Sequence, residues 1–244
     1  MCQPIELSRW SHQLIGVIDL QGGYAVHGVA GDRDSYKPVG FCQGDAEQLA
    51  RHYLDQGVCS LYVADLDGLR GKTFQLEACE RLINLGFRRV WIDLGWRSCD
   101  RGVTSEMGRM SRLYPSLGWM LATETEQRVE ALDSLLLEVP AEKICISLDF
   151  AAGQFRGRGH DWRDWIVAAV KRSVTQFLVL DVASVGTSSG VPTQSLCRQI
   201  KREWPEVTLS SGGGVRGEVD VQALVNAGCE SVLVATALFP KSIC

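Results

Sequence analysis

The stretch LIGVIDLQGG at residues 14–23 is an apolar run that ends in an aspartate, Asp19, and a pair of glycines. A strand that is apolar throughout is buried on both faces, as strands are in a parallel sheet covered by helices. A related stretch, SLDFAAGQ at 147–154, carries Asp149 where the first carries Asp19. The two stretches indicate one structural unit used twice, with a carboxylate at the same place in each copy.

Short apolar runs of this type alternate with amphipathic stretches along the whole chain. The candidate strands are Leu14–Leu20, Ser60–Asp65, Arg89–Leu94, Trp119–Ala122, Lys143–Asp149, Gln176–Asp181, Val207–Ser210 and Ser231–Ala235. The candidate helices, with apolar residues near a 3.6-residue period, are Gly44–Gln56, Gln75–Leu85, Gln127–Leu137, Trp162–Arg172, Thr193–Glu203 and Val219–Ala227. Eight strands alternating with helices predict right-handed βαβ units and an α/β fold, the (βα)8 TIM barrel.

Further matches between the two halves keep the same order along the chain. They pair LYVADLDG around Asp65 with LVLDVASVG around Asp181, DLGWR at 93–97 with GGGVR at 212–216, and MLAT at 120–123 with LVAT at 233–236. We therefore expect a single domain over 1–244 built from two half-barrels, roughly 1–124 and 140–244. A length of 244 residues suits one such barrel.

Two connections are expected to depart from this pattern. Residues 97–117 are polar and give only a weak third helix signal. After the last strand only Leu238–Cys244 remain, with Pro240 among them, so the eighth helix should be short or absent. The seam left open would be covered by the N-terminal segment Met1–Arg9, by a partner subunit in a homo-oligomer, or by solvent.

Composition limits the classes of partner. With 45% hydrophobic and 22% charged residues and a net charge of −4, the chain reads as a globular protein without a general affinity for nucleic acid or anionic membranes. Its nine cysteines are scattered, with no C-x-x-C pair, which predicts neither a zinc site nor a disulfide framework. No signal peptide or membrane span is recognisable, so we expect a cytoplasmic protein.

Asp19 and Asp149 are the strongest candidates for catalysis. In a barrel, functional residues lie at the carboxyl ends of the strands. Strands one and five are four units apart, so these two carboxylates should face each other across the mouth, as a paired base and acid would. In the alternative reading, each carboxylate pairs with a nearby arginine or caps a loop.

Glycines after strand seven predict a phosphate site. Gly213 and Gly214 in the run SSGGG, with Ala235 and Thr236 after strand eight, would offer backbone N–H groups to a small phosphorylated metabolite. The corresponding first-half site reads Asp93-Leu94-Gly95, followed by Trp96, so we expect it to be degraded or repurposed. Alternatively, Arg97 or other loop residues restore anion binding there.

The segment GYAVHGVAGDRDSYKPVG at 23–40 is long, polar and rich in glycine, which favours a mobile active-site loop. His27 and Arg33 are its candidate substrate contacts, although His27 suits a structural strand equally well. The other candidate contacts at strand ends are Asp65, Gly95, Thr123 and Thr187. The basic, aromatic segment RGRGHDWRDW at 156–165 is expected to be a solvated loop leading into a helix.

Five motifs together resemble those of the histidine-biosynthesis barrels, ProFAR isomerase and the cyclase subunit of imidazole glycerol phosphate synthase. They are IDLQGGYAVHG, VADLDGLRG, SLDFAAG, SSGGGVRG and LVATALF, and they span about Gly16 to Phe239. DLDGLRG at 65–71 is closer to the isomerase. The resemblance implies an Amadori-type aldose–ketose isomerisation without metal or organic cofactor. It assigns acid–base roles to Asp19 and Asp149, and one phosphate clamp to Gly213, Gly214, Ala235 and Thr236.

The chain also departs from the family pattern. Asp93-Leu94-Gly95 replaces a Gly-Gly-Gly clamp, Val185 replaces the aspartate of a D-G-T motif, and Leu180 replaces a polar residue. The arginine usual in the first loop is replaced around His27. These changes suggest a divergent paralogue of the isomerase. The alternatives are a lyase, cyclase or condensing enzyme for a monophosphate outside histidine biosynthesis, or a non-catalytic barrel that binds a phosphometabolite.

Overall fold

The computed structural model describes residues 4–240, and within them the strands form one continuous sheet. The strands are β1 Leu14–Gln21, β2 Tyr24–His27, β3 Lys37–Pro38, β4 Ser60–Asp65, β5 Arg89–Asp93, β6 Leu117–Ala122, β7 Ile144–Ala151, β8 Gln154–Phe155, β9 Gln176–Asp181, β10 Thr208–Gly212 and β11 Ser231–Val234. The α-helices are α1 Leu7–Trp10, α2 Ala46–Asp55, α3 Leu66–Leu69, α4 Leu76–Ile83, α5 Arg101–Leu113, α6 Ala131–Leu136, α7 Trp162–Val170, α8 Gln194–Glu203 and α9 Glu218–Asn226.

Eight of these strands run parallel in the order β1, β4, β5, β6, β7, β9, β10, β11. The ring closes because β1 pairs in parallel with β4 on one side and with β11 on the other, where Leu14 lies opposite Val232. Helices connect the strands, so the predicted (βα)8 barrel is confirmed. Gly57, Gly86 and Gly228 all have positive φ just after α2, α4 and α9, the conformation in which glycine commonly ends a helix.

The barrel has an inner and an outer core. Its interior is filled by side chains from alternate strand positions, among them Ile15, Tyr62, Trp91, Met120, Cys145, Leu178 and Leu233. Gly118 makes room for the largest of them, since a Cβ at Gly118 would lie 2.2 Å from the Trp91 ring. A second, larger cluster lies between the sheet and the helices. Two cavities lined by residues within 4–240 lie at the two ends of the barrel, one at each end of the parallel strands.

Two hairpins at the strand ends were not expected. β1 turns at Gly22-Gly23 into β2, and β7 turns at Ala152-Gly153 into β8. All four turn residues have positive φ, the conformation that matches the twist of a two-residue hairpin. The segment 23–40, predicted to be a mobile loop, contains two strands, Tyr24–His27 paired with β1 and Lys37–Pro38 paired with β2. The mobility of the residues between them stays a prediction. His27 is the last residue of β2, which agrees with the alternative that it is a structural strand residue.

The third connection, predicted to be weak, contains the longest helix of the described residues. The buried face of α5 consists of small, polar and sulfur-containing side chains, Thr104, Met107, Gly108, Met110 and Ser111. Two of them accept hydrogen bonds from indoles, Thr104 from Trp96 at 2.9 Å and Ser111 from Trp119 at 2.8 Å. The periodicity was missed because these polar side chains form the buried face.

The barrel seam is flanked by segments of the chain itself. Trp10 of α1 is buried, and Arg9 bonds Glu218 and Gln222 of α9. After β11 the described chain forms one 3-10 turn, Thr236–Leu238, whose Leu238 is also buried. The rest of the predicted short C-terminus, residues 241–244, and Met1–Gln3 lie outside the described residues. A homo-oligomer that covers the seam stays a prediction. None of the helices in residues 4–240 is long and apolar enough to cross a membrane.

Candidate active site

A cavity of about 320 Å³ opens at the carboxyl ends of the barrel strands. Asp19 from β1 and Asp149 from β7 both line it, as does Asp93 from β5. β1 and β7 are four strands apart in the ring, so their carboxylates reach the cavity from opposite sides. The first loop contributes Arg33, which forms an ion pair with Glu124 of the loop after β6.

Asp19 is partly buried in the cavity wall and lies against the backbone of the first loop. A Cβ at Gly28 would meet its Oδ2 at 2.4 Å, so a side chain at this position would displace the carboxylate. Within residues 4–240 no hydrogen bond reaches the Asp19 carboxylate. Burial raises its pKa to about 6; Arg33 opposes the rise and Asp93 adds to it.

Asp149 is held firmly, in contrast to Asp19. Its Oδ1 accepts a hydrogen bond from Ser147 Oγ at 2.6 Å. Its Oδ2 accepts from the Glu124 backbone N–H at 3.2 Å and from Thr123 Oγ1 at 3.3 Å. Burial, and then the charge of Glu124, raise the pKa of Asp149 to about 8, although the Ser147 bond acts in the other direction.

The four residues predicted to bind phosphate line one wall of this cavity. They are Gly213, Gly214, Ala235 and Thr236. Gly213 and Gly214 have φ of +81° and +79°, and their backbone N–H groups donate to no acceptor within residues 4–240. Successive backbone N–H groups in a turn can form an anion-binding nest, so phosphate binding at Gly213 and Gly214 stays a prediction. His27 reaches this wall only through Thr236, with 3.3 Å between Nε2 and Oγ1.

The corresponding first-half segment is closed by its own side chains. The Gly95 N–H donates to Asp93 Oδ1 at 2.8 Å, and the Tyr62 hydroxyl donates to Asp93 Oδ2 at 3.2 Å. Burial raises the pKa of Asp93 to about 6; the Gly95 bond opposes the rise and the charge of Glu124 adds to it. Arg97 donates to the carbonyls of Gly95 and Leu69 and does not line the cavity.

A family model described as "Histidine biosynthesis protein" matches residues 13–244. The chain belongs to the histidine-biosynthesis protein family. It is similar to an uncharacterised protein of Methanocaldococcus jannaschii, with 29% identity over 93% of this chain and 92% of the relative. It is also similar to proteins named 1-(5-phosphoribosyl)-5-((5-phosphoribosylamino)methylideneamino)imidazole-4-carboxamide isomerase (ProFAR isomerase). That of Deinococcus radiodurans is 26% identical over 95% of both chains, and that of Haloarcula marismortui 26% identical over 93% of this chain and 91% of the relative.

Among the remaining candidate contacts of this family member, only Arg33 lines the cavity. Asp65 is fully buried and accepts hydrogen bonds from the Gly68 and Gln75 backbone, so it organises the loop after β4. The exposed Thr187 donates to the Ser184 carbonyl. Gly95 and Thr123 act on the site through Asp93 and Asp149. Asp65, Gly95, Thr123 and Thr187 do not line the cavity, and their role as substrate contacts stays a prediction.

Sequence reasoning missed several residues of the cavity in this histidine-biosynthesis barrel. Glu124 follows β6 directly, and that position at a strand end was the available signal. Tyr62 points into the barrel from β4, which β-strand alternation alone could have indicated. Arg156 also lines the cavity. It is an exposed loop residue ahead of α7, as predicted for a solvated loop that leads into a helix.

Proposed function

We propose that this protein is an acid–base isomerase that converts a phosphorylated aminoaldose into an aminoketose by an Amadori-type rearrangement. The observation that carries the proposal is the pair of opposed aspartates, Asp19 and Asp149, in one cavity with a glycine nest. Their pKa values of about 6 and about 8 make Asp19 the ionised base and Asp149 the protonated acid near neutral pH. The nest at Gly213 and Gly214 holds the substrate phosphate.

The reaction divides between the two carboxyl groups. Asp149 donates its proton to the ring oxygen as the C1–O bond breaks, and the nitrogen lone pair forms the C1=N bond of a protonated imine. Asp19 then removes the proton from C2. The electron pair of that C–H bond becomes a C1=C2 double bond, and the electron pair of the C1=N π bond returns to nitrogen as a lone pair. The resulting enaminol takes up a proton at C1 and loses the O2 proton, which gives the aminoketose. The step needs no oxidant and no cofactor, because C1 is reduced while C2 is oxidised.

The environment of each aspartate suits its role. The Asp19 carboxylate accepts no hydrogen bond from residues 4–240 and is therefore free to accept a proton from carbon. Asp149 is fixed by Ser147, Thr123 and the Glu124 backbone, which aims one carboxyl group at a single substrate atom. The ProFAR isomerases with which the chain aligns over nearly its full length support the same reaction class.

Solvent exchange tests this proposal. In D2O the protein should convert a phosphorylated aldosylamine into the aminoketose with one deuterium at C1. Proton NMR measures both the conversion and the deuterium uptake. Asp19→Asn should abolish both conversion and deuterium uptake, while Asp34→Asn, an exposed carboxylate of the same loop, should change neither. Conversion that survives Asp19→Asn would contradict the proposed base.

The specific substrate is tested in cells. Growth of a histidine auxotroph that lacks the isomerase, when it expresses this chain, would assign the histidine-pathway substrate. The altered strand-three segment, Asp93-Leu94-Gly95, favours a different phosphorylated substrate. Failure to grow with folded, abundant protein would therefore support the paralogue with another reaction on a monophosphate.

A further inference from the structure

We infer that Asp93 is a specificity-determining residue that makes this cavity reject a second phosphate, so that the substrate is a monophosphate whose far end is not anionic. The inference rests on the proposed function, because the single phosphate occupies the nest at Gly213 and Gly214. It adds the substrate class, and it gives Asp93 a role that neither the fold nor the acid–base chemistry requires.

The first step concerns hydrogen-bond donors. Asp93 is 4% exposed, and its Oδ1 lies 2.8 Å from the Gly95 N–H. Among residues 4–240, the Gly213 and Gly214 amides have no such internal acceptor. A phosphate arriving at the first-half segment would have to displace a carboxylate that belongs to the protein. The carboxylate thus fills the place of a bound anion.

The second step concerns space. A Cβ at Gly95 would lie 2.5 Å from the Leu69 Cα, so the backbone of this segment is packed directly against its neighbour. Leu94 and Trp96 on either side are each 1% exposed. The Arg97 guanidinium, the nearest cation along the chain, is held by the carbonyls of Gly95 and Leu69. The segment therefore offers a second phosphate neither an open cradle nor a free charge.

The third step concerns charge. Asp93 and Glu124 bring two carboxylates to the same side of the cavity, and Glu124 already engages Arg33. Like charges within a few Å repel strongly where water is excluded. A phosphate dianion on this side would add to that repulsion, whereas a neutral or cationic group would not.

The experiment compares two matched probes, ribulose 5-phosphate and ribulose 1,5-bisphosphate, by isothermal titration calorimetry. Wild-type protein should bind the bisphosphate at least tenfold more weakly than the monophosphate. Asp93→Asn removes the charge but keeps an acceptor for Gly95, and should reduce that ratio severalfold. Asp93→Gly also frees the amide and should reduce it further. Asp34→Asn should leave the ratio unchanged.

Each outcome separates this inference from the proposed reaction. Equal binding of both probes by the wild type, or a ratio that neither Asp93 variant changes, overturns the role of Asp93. Absence of isomerase activity leaves the binding ratio readable, because binding requires no chemistry, and contradicts only the proposed function. Binding of neither probe by folded wild type overturns both the nest and the rejection. Asp93→Asn retains the side-chain shape, so it serves if Asp93→Gly does not fold.

Discussion

The carboxyl ends of β5 and β10 carry related segments, DLGWR and GGGVR, with opposite outcomes. After β10 two consecutive glycines with positive φ leave their amides free within residues 4–240. After β5 the Asp93 carboxylate accepts the Gly95 amide. The comparison teaches that an anion site in a barrel depends on which amides remain without an internal acceptor, not on a glycine-rich backbone alone.

The largest expected effect concerns a second pair of strand ends, those of β1 and β7. It tests whether Asp19 on β1 and Asp149 on β7 each transfer a proton in the reaction. Asp19→Asn and Asp149→Asn should each lower kcat by about 10³-fold, since each removes one proton-transfer group. Steady-state kinetics measures this loss. Isothermal titration calorimetry should show that each variant binds the phosphorylated substrate with an affinity within a few-fold of that of the wild type.

Asp34→Asn is the matched control for both variants, because its side chain is 89% exposed and does not line the cavity. A normal kcat in either the Asp19 or the Asp149 variant would contradict the proposed roles of Asp19 as base and Asp149 as acid.

A pair of glycine variants compares the two segments directly. Gly95→Ala should lower the free energy of unfolding by roughly 2–4 kcal/mol, because its Cβ would strike the Leu69 backbone at a positive φ. Gly213→Ala has more space, with Ser184 Oγ at 3.0 Å, and should cost about 1–2 kcal/mol. Chemical denaturation measures both values.

Ligand binding should rank the same variants in the reverse order. Gly213→Ala should weaken phosphate binding about tenfold, or ~1.4 kcal/mol, while folded Gly95→Ala protein should bind as the wild type does. Equal effects on binding would show that the two segments do not differ as the structure indicates.

The pH dependence sharpens the contrast between Asp19 and Asp149. The profile of kcat/KM should be bell-shaped, with limbs near pH 6 and pH 8. Below the lower limb Asp19 binds a proton and cannot act as base. Above the upper limb Asp149 loses the proton it must donate, so the rate should fall about tenfold per pH unit on each side. Thr123 donates a hydrogen bond to Asp149. In the Thr123→Val variant the upper limb of the profile, which reports Asp149, should therefore shift, while the lower limb, which reports Asp19, should stay near pH 6.

The smallest effect concerns the buried charge of Asp93. Because its pKa is raised in the folded protein from 3.8 to about 6, the folded state holds more protons than the unfolded state in that range, and stability falls as pH rises through it. Asp93→Asn should therefore stabilise the protein by about 1 kcal/mol at pH 8. The gain is reduced by the weaker hydrogen bonds from Gly95 and Tyr62.

Thermal denaturation at pH 4 and pH 8 checks the prediction, with Asp34→Asn as control. The stabilising effect should shrink towards pH 4, where the folded wild type already holds the proton. A variant less stable than wild type at pH 8 would show that the carboxylate contributes more through its hydrogen bonds than its burial costs.

The sequence predicted the barrel strands well because a strand buried on both faces is apolar along its whole length. It failed on α5, where Thr104 and Ser111 face the core to accept the indole N–H groups of Trp96 and Trp119. A polar residue that is satisfied inside the protein looks the same in a sequence as one exposed to solvent. The hairpin at Ala152-Gly153 was missed because Ala152 carries no signal for positive φ.

The candidate site was predictable where function follows from strand position, and less so where it depends on neighbours. Asp19, Asp149 and the four predicted phosphate-binding residues line the cavity because parallel strands in a closed barrel end at one mouth. Their roles stay predictions. Glu124 lines the cavity, whereas its neighbour Thr123 is buried behind the cavity wall. Their adjacent places in the sequence do not distinguish them, because the packing decides which side chain faces the cavity.

The sequence by itself determined the α/β alternation, the eight strands and the two carboxylates at corresponding strand ends, because these depend on local hydrophobicity and chain order. Only the tertiary structure decided that Asp93 closes one glycine segment while the other stays open, and that the pKa of Asp149 is raised further than that of Asp19. Hydrogen-bond partners and burial come from residues distant along the chain. The charge state of a side chain is therefore set by the fold around it.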